Sequence, residues 1–164
     1  MKIHAHISPL RQALALLGFL ALTLAAGFAA GQVTAPNIAS WYNGLAKPSF
    51  NPPSWVFAPV WTALYVLMAV AAWRVWRQAG LRSAALALWF VQLGLNFAWS
   101  FLFFGAHAPG LALADLSLLW LILGATLIAS RRIDRLAGWL LIPYLAWVSF
   151  AGVLNFWVWR LNPV

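Results

Sequence analysis

Residues 83–104 read SAALALWFVQLGLNFAWSFLFF, and this stretch decides the class of fold. It holds 22 residues without one charged side chain. An α-helix rises about 1.5 Å per residue, so about 20 apolar residues cross the hydrocarbon core of a bilayer. A membrane-spanning strand alternates apolar and polar residues, and this run does not alternate. The stretch therefore predicts a transmembrane α-helix.

Four further stretches have the same apolar character and fill most of the chain. The five predicted spans cover about residues 10–31, 54–76, 83–104, 110–130 and 136–159. Connections after the second span are very short, so consecutive helices are antiparallel neighbours. We therefore predict an all-α, polytopic membrane protein in which residues 1–164 form a single five-helix bundle.

Composition agrees with the membrane class and excludes several kinds of site. Hydrophobic residues make up 65% of the chain and charged residues only 7%, too little charge for the surface of a water-soluble domain. The absence of cysteine excludes disulfides and sulfur-ligated metals. The three histidines, His4, His6 and His107, are scattered, and we expect no metal site.

The first span also resembles a secretory signal peptide, because a basic start precedes an apolar run that ends in small residues. The apolar run, residues 13–31, is longer than a usual signal-peptide core. We therefore expect a retained helix.

Cationic residues are distributed unevenly between the two ends of the predicted bundle. The formal net charge is +8, and one end holds eight of the ten cationic residues. These eight are Lys2, Arg11, Arg74, Arg77, Arg82, Arg131, Arg132 and Arg135. By the positive-inside rule, the N-terminus is cytoplasmic and the C-terminus lies on the opposite side. Cations at span ends also favour anionic headgroups over nucleic acid as their partner.

The one long connection, residues 32–53, lies at the cation-poor end, which carries only Lys47 and Arg160. Pro36 is expected to end the first helix, and residues 38–46 are predicted as a short interfacial helix. Three later prolines favour extended or turn geometry. Such a stiff aromatic loop is either a lid over the mouth of the bundle or an ordinary interfacial anchor.

Polar and aromatic side chains inside the spans share helix faces. Uncompensated polar groups are costly in hydrocarbon, and spacings of three or four residues place side chains on one helix face. The stripes are Trp61, Tyr65 and Met68 in the second span, Trp89, Gln92, Asn96, Trp99 and Phe103 in the third, and Tyr144, Trp147, Ala151 and Asn155 in the fifth. They are either packing contacts joined by hydrogen bonds or the walls of a cavity for a flat, largely apolar ligand.

Asp115 lies inside the fourth span, near the N-terminal end of its helix. An intramembrane carboxylate is a candidate functional group. The helix dipole and a hydrogen bond from a neighbouring indole give it a structural alternative, which we favour. No second acid, lysine or histidine lies inside the spans to complete a proton relay, and no catalytic triad or phosphate-binding loop is present.

Small residues occur at helix-contact spacing in two spans. Gly27 and Gly31 form a GxxxG pair, and Gly94 and Ala98 form a second small pair. Such pairs allow close helix approach, either within the bundle or in a homodimer.

Several motifs resemble those of one family. Residues 41–53 read WYNGLAKPSFNPP and are followed by WVF at 55–57 and PVWT at 59–62. Further matches in the same order are Gln92, Asn96, Trp99, Asp115, Pro143, Tyr144, Trp147, Ala151 and Asn155. Together they resemble the TspO/MBR family of translocator proteins, or tryptophan-rich sensory proteins, also called peripheral-type benzodiazepine receptors. The resemblance covers nearly the whole chain.

This resemblance implies a five-helix bundle, often a homodimer, with a ligand pocket under the first loop. The pocket is reported to bind porphyrins such as protoporphyrin IX and, in family members, cholesterol and benzodiazepine-type drugs. Carried over by position, the ligand-binding residues are Tyr42, Pro52, Trp61, Tyr65, Gln92, Asn96, Trp99, Trp147 and Ala151. No cofactor is required, and a porphyrin or other tetrapyrrole is the expected ligand.

The resemblance also implies an alternative enzymatic function. Some bacterial relatives look able to degrade protoporphyrin in a light-dependent oxidation, and the matching catalytic residues are Trp61 and Trp147. A photoexcited porphyrin can oxidise a stacked indole. Our leading hypothesis is porphyrin binding in sensing, transport or sequestration, and a structural membrane scaffold is a second alternative.

One departure from the family weakens a sterol as partner. The family's sterol-recognition pattern takes Leu or Val, then Tyr, then Lys or Arg, and Phe156 stands where the Tyr is expected. The compact chain favours a bacterial origin, where sterol is scarce.

Overall fold

The computed structural model describes residues 8–163, and its regular elements are helices. They are α1 (Pro9–Ser40), α2 (Phe57–Ala79), α3 (Ala84–Ser100), α4 (Pro109–Ile133), α5 (Arg135–Leu140) and α6 (Ile142–Leu161). A π-helical turn, Phe101–Gly105, extends α3, and 3-10 turns occupy Tyr42–Gly44 and Ser54–Val56. Since α5 and α6 form one span, five helical stretches are long and apolar enough to cross a membrane. The predicted all-α, five-span architecture is confirmed.

Part of the predicted N-terminal charge lies outside this range. Lys2, His4 and His6 are outside the described residues. Within residues 8–163, no group of three or more histidine, aspartate or glutamate side chains is placed to hold a metal ion.

The first helix is longer than predicted, because it continues through Pro36 to its end at Ser40. Proline removes one backbone donor from a helix but does not end this one. Just after it, Asn37 Nδ2 donates to the Val33 carbonyl at 2.8 Å. The predictions of a helix break at Pro36 and of a separate helix over 38–46 are therefore wrong. The loop itself is residues 41–53.

Tertiary contacts hold the end of α1 in helical form. Asn37 Oδ1 lies 2.9 Å from His107 Nε2, and the His107 ring stacks on Trp41 with centroids 4.3 Å apart. His107 has a positive φ of 51°, which is uncommon outside glycine. Trp41 also meets the Phe103 ring edge-on. These long-range contacts favour the helix beyond Pro36.

The fifth span is interrupted at Leu141, between α5 and α6. Pro143 lies in the first turn of α6 and has no backbone N–H to donate. Gly138 brings α5 close to α4, since a Cβ at this position would lie 2.6 Å from Arg131 Cβ.

Asp134 joins α2 to the turn between α4 and α5. Its Oδ2 forms an ion pair with Arg74 Nη2 at 2.8 Å and accepts a hydrogen bond from Gln78 Nε2 at 2.6 Å. Its Oδ1 accepts from the Ala137 backbone N–H at 3.0 Å and caps α5. Burial alone would raise the pKa of this carboxyl, but Arg74 and the backbone N–H groups lower it below its ordinary value.

The Asp134 interactions predict a loss of stability in acid. Because the folded-state pKa is lowered, they stabilise the fold above the ordinary carboxyl value of about 3.9, and the stabilisation is lost as pH falls through the folded pKa. We expect the melting temperature of the wild type to fall below about pH 4, and that of Asp134→Asn to change much less. Thermal denaturation followed by circular dichroism measures both, with Asp115→Asn as the control. If the melting temperatures of the wild type and of Asp134→Asn fell in parallel as the pH is lowered, the prediction would be contradicted.

Candidate ligand cavity

A cavity of about 490 Å³ lies between α1, α2, the α3 end and α6, at the end of the bundle that carries the 41–53 loop. Its volume lies within the usual range for small-molecule sites. The aromatic part of its wall comprises Phe28, Tyr42, Phe57, Trp61, Tyr65, Trp99, Phe103, Phe104 and Trp147. Few polar side chains interrupt this wall, so it suits a flat, largely apolar ligand.

A hydrogen-bonded chain of three buried side chains joins α2, α3 and α6 at the cavity. The Tyr65 hydroxyl donates to Asn96 Oδ1 at 2.8 Å, and Asn96 Nδ2 donates to the Tyr144 hydroxyl at 3.0 Å. The Trp61 ring packs against both tyrosine rings, at centroid distances of 5.7 and 6.1 Å. One amide thus satisfies two hydroxyls in the membrane interior, where an unpaired polar group is costly.

A second hydrogen-bonded pair joins α3 to α6 at the cavity. Trp99 Nε1 donates to Asn155 Oδ1 at 3.0 Å, and Asn155 Nδ2 donates to the Pro109 carbonyl at 2.8 Å. The Trp99 ring stacks on Phe103, with centroids 5.1 Å apart and planes 25° apart. These two rings therefore present an ordered flat surface to the cavity.

Trp147 has a buried donor without a partner. Its Nε1 is buried and has no hydrogen-bond partner among residues 8–163. Its ring packs against Phe57 and Phe150 at centroid distances of 5.9 and 5.5 Å. An unpaired buried N–H is unfavourable, and none of the aromatic contacts of this ring satisfies it.

The 41–53 loop is docked on the end of α6. The Ala46 backbone N–H donates to Asn162 Oδ1, and Asn162 Nδ2 donates to the Ala46 carbonyl, both at 2.9 Å. Within the loop, the Tyr42 hydroxyl donates to Asn51 Oδ1 at 2.8 Å. Burial raises the pKa of the Tyr42 hydroxyl, and the bond with Asn51 offsets this only in part. The docked loop favours the lid over the anchor interpretation, and lid function stays a prediction.

Seven of the nine predicted ligand-binding residues lie in the cavity wall. They are Tyr42, Trp61, Tyr65, Asn96, Trp99, Trp147 and Ala151. Pro52 and Gln92 do not line the cavity. Gln92 is fully buried one turn from Asn96, and both atoms of its side-chain amide lack a partner in the described part of the chain. Ligand contact by any of the nine residues stays a prediction.

The contribution of α1 to the wall was missed at the sequence level. Gly27, Ala30, Gly31 and Thr34 all line the cavity. The GxxxG pair indicated only close helix contact, and Gly27 does make one, since a Cβ there would lie 2.7 Å from Tyr65 Cδ2. At Gly31, however, nothing lies within 4 Å of an added Cβ. This second glycine therefore leaves space that forms part of the cavity.

Asp115 lies on α4, outside the cavity wall. Its Oδ2 is buried and has no hydrogen-bond partner within residues 8–163. The indole bond expected for it is absent from this range. That part of the structural interpretation is wrong.

A sequence profile of the TspO/MBR family matches residues 19–160. The chain belongs to the TspO/MBR family. The tryptophan-rich protein TspO of Chlorobaculum tepidum is 44% identical over 158 residues, which cover 93% of this chain and 99% of that protein. The Homo sapiens translocator protein is 45% identical over 126 residues, or 74% and 75% of the two chains. The Cereibacter sphaeroides tryptophan-rich sensory protein is 45% identical over 122 residues, or 74% and 77%.

Family membership and the five apolar helices together make this TspO/MBR chain an integral multi-pass membrane protein. Its cavity has a side opening as well as a covered end. Leu24 and Phe28 of α1 line the cavity and are 40% and 71% exposed, and Thr62 of α2 is exposed too. The cavity therefore opens between α1 and α2, toward the surface that faces lipid.

Proposed function

We propose that this protein binds a protoporphyrin IX-like tetrapyrrole in the cavity and acts in its sensing, transport or sequestration. The aromatic rings of the cavity wall carry this proposal. Trp61 and Tyr65 form one side, and the stacked Trp99–Phe103 pair forms another. Aromatic rings prefer offset or edge contacts with a flat π-system, which a tetrapyrrole provides. The words "translocator" and "sensory" in the names of relatives agree with transport or sensing.

The side opening supports the same proposal. A tetrapyrrole is largely apolar and partitions into bilayers, so an opening toward lipid gives it a direct route to the cavity. The two amide groups of the wall, Asn96 and Asn155, are already engaged in hydrogen bonds. Aromatic contact, rather than a charge in the wall, then supplies most of the affinity.

Removing one ring should weaken the complex measurably. We expect Trp61→Leu and Trp147→Leu each to reduce protoporphyrin IX affinity about threefold to tenfold, the loss of one aromatic contact. The shift of the porphyrin absorption band on titration in the dark measures the affinity. Trp157→Leu, on the exposed outer face of α6, is the control. Equal affinities in the wild type and the three variants, or binding that does not saturate, would exclude this site.

Light-dependent porphyrin degradation is the second candidate function. The observation favouring it is that Trp61 and Trp147, its proposed catalytic residues, both line the cavity. Oxygen would be the oxidant, with a photoexcited porphyrin as sensitiser. Illumination with and without oxygen, followed by product analysis, separates binding from catalysis. Bleaching at the rate of free porphyrin in detergent, or equal bleaching by Trp61→Phe, would rule catalysis out.

We also propose a homodimer with a cytoplasmic N-terminus in a bacterial membrane. The concentration of arginines at one end supports the orientation. Because the chain has no cysteine, single cysteines at Ser40 and Leu81 would report the two ends through an impermeant maleimide. If Leu81→Cys is labelled in intact cells and Ser40→Cys is not, the orientation is the reverse of the one proposed. A monomeric mass in detergent would reject the dimer.

A sterol is a weaker candidate ligand than a tetrapyrrole. Phe156, which replaces the tyrosine of the family pattern, is 41% exposed and does not line the cavity. It lies beside Val153 on the outer surface of α6. A sterol at this segment would therefore contact the outside of the bundle, and loss of sterol retention in Phe156→Ala would test it.

A further inference from the structure

The end of the bundle opposite the loop carries a concentrated positive charge. Exposed arginines lie in the last turn of α2, in the α2–α3 connection and on either side of the α4–α5 turn. The Arg74–Asp134 ion pair joins α2 to that turn. We call this set the arginine face, and its members are Arg77, Arg82, Arg131, Arg132 and Arg135. All five side chains are exposed, so they are free to meet a partner outside the chain.

Among residues 8–163, the arginine face has no acidic side chain as a counter-ion. Asp134 is the acid at this end, and Arg74, Gln78 and the Ala137 N–H already occupy its two oxygens. Within residues 8–163, Arg74–Asp134 is the one ion pair. The other acid, Asp115, lies inside α4 near its opposite end. Five formal positive charges therefore remain uncompensated by protein at one end of the bundle.

Two of these guanidinium groups are positioned by indole rings. Arg77 lies over the Trp73 ring at 4.6 Å from its centroid, and Arg131 lies over the Trp139 ring at 5.4 Å. Trp73 is itself held in place, because its Nε1 donates to the Gln12 carbonyl at 2.9 Å. A guanidinium ordered in this way presents its donors in a fixed fork, a geometry that matches phosphate oxygens.

Apolar side chains beside the arginines decide which kind of anion fits. Leu81, next to Arg82, is 61% exposed, and Leu136, next to Arg135, is 48% exposed. A nucleic acid offers these leucines no apolar partner at this depth. A phospholipid offers a phosphate and an acyl chain within one molecule, at the depth where a spanning helix ends.

We propose that the arginine face binds anionic phospholipid, with Arg77 and Arg131 binding the headgroup phosphate and Leu81 and Leu136 contacting the acyl chains. This site lies at the opposite end of the bundle from the cavity and does not depend on tetrapyrrole binding. Binding would attach the α2–α3 connection and the α4–α5 turn to the same lipid surface.

Native mass spectrometry tests the proposal on the full chain in mixed micelles of phosphatidylglycerol and phosphatidylcholine. We expect the wild type to retain phosphatidylglycerol at least about tenfold better than phosphatidylcholine. Arg77→Gln with Arg131→Gln should lose most of this preference. Lys47→Gln with Arg160→Gln removes two charges at the other end and should keep it. Circular dichroism verifies that both double variants are folded.

Further measurements distinguish lipid from other anions. Glycerophosphoglycerol, which has the headgroup but no acyl chain, should displace the lipid poorly, and Leu81→Ser with Leu136→Ser should weaken lipid retention. Equal retention of both lipids by the wild type would overturn the proposal. The proposal would also be overturned if the two double arginine and lysine variants lost the phosphatidylglycerol preference equally, because net charge alone would then explain the preference. Efficient displacement by glycerophosphoglycerol or by an oligonucleotide would show that a soluble anion is the partner.

Discussion

Replacing Gly31 with leucine is expected to abolish most tetrapyrrole binding without unfolding the bundle. The glycine lines the cavity, and no atom lies within 4 Å of a Cβ added to it. The new side chain therefore projects into the space that the ligand needs. We expect a loss of affinity of at least about tenfold, equivalent to about 1.4 kcal/mol. Helix propensity also favours leucine over glycine by nearly 1 kcal/mol, so stability should not fall.

The chain offers a matched control for this substitution. Gly18 lies on the same helix, has no atom within 4 Å of an added Cβ and does not line the cavity. Gly18→Leu should therefore bind protoporphyrin IX as the wild type does. Dark titration gives the affinity, and thermal denaturation gives the stability. Wild-type affinity in Gly31→Leu would mean that the ligand binds elsewhere, whatever the effect on stability.

Asn96→Leu is expected to lower the stability of the protein, and Gln92→Leu is expected not to lower it. Asn96 bonds the Tyr65 and Tyr144 hydroxyls, and its loss leaves both buried without this partner. We expect Asn96→Leu to lower the free energy of unfolding by about 1–3 kcal/mol. Gln92→Leu removes an amide that has no partner within residues 8–163, so it should be neutral or stabilising.

The same pair of variants separates the binding function from the scaffold alternative. Asn96 lies in the cavity wall, and Tyr65 is positioned by it. If the cavity binds a tetrapyrrole, Asn96→Leu should change its affinity as well as the stability of the protein, and Gln92→Leu should change neither much. If the bundle is only a scaffold, no ligand's affinity should respond to either substitution. Greater destabilisation by Gln92→Leu would show that its amide is hydrogen-bonded in the membrane.

Helical periodicity made the α2, α3 and α6 stripes of the cavity wall predictable. Side chains three or four residues apart share a helix face in any α-helix, so Trp61 with Tyr65, and Trp147 with Ala151, had to point the same way. The structure places all four in the wall. Periodicity does not specify how far along the helix axis the cavity extends. Gln92 lies on the same stripe as Asn96 but one turn farther from the cavity end, and the cavity does not reach it.

The residues of α1 show what local rules could not provide. A proline normally ends a helix, yet α1 continues through Pro36 because Asn37 and Trp41 find partners on His107, far away in the chain. A GxxxG pair indicates close helix approach, yet only Gly27 makes such a contact, with Tyr65. Both outcomes depend on which helix lies opposite, and that information is absent from the segment itself.

The amino-acid sequence by itself determined that this chain is a five-span helical membrane protein of the TspO/MBR family with polar and aromatic stripes on three spans. Length and hydrophobicity decide whether a segment spans a bilayer, and these are properties of each segment alone. Only the tertiary structure decided that α1 completes the cavity, that Gln92 lies outside it and that Asp134 pairs with Arg74 rather than with the arginine face. Each of these depends on contacts between residues distant in the chain, which arise only when the helices pack.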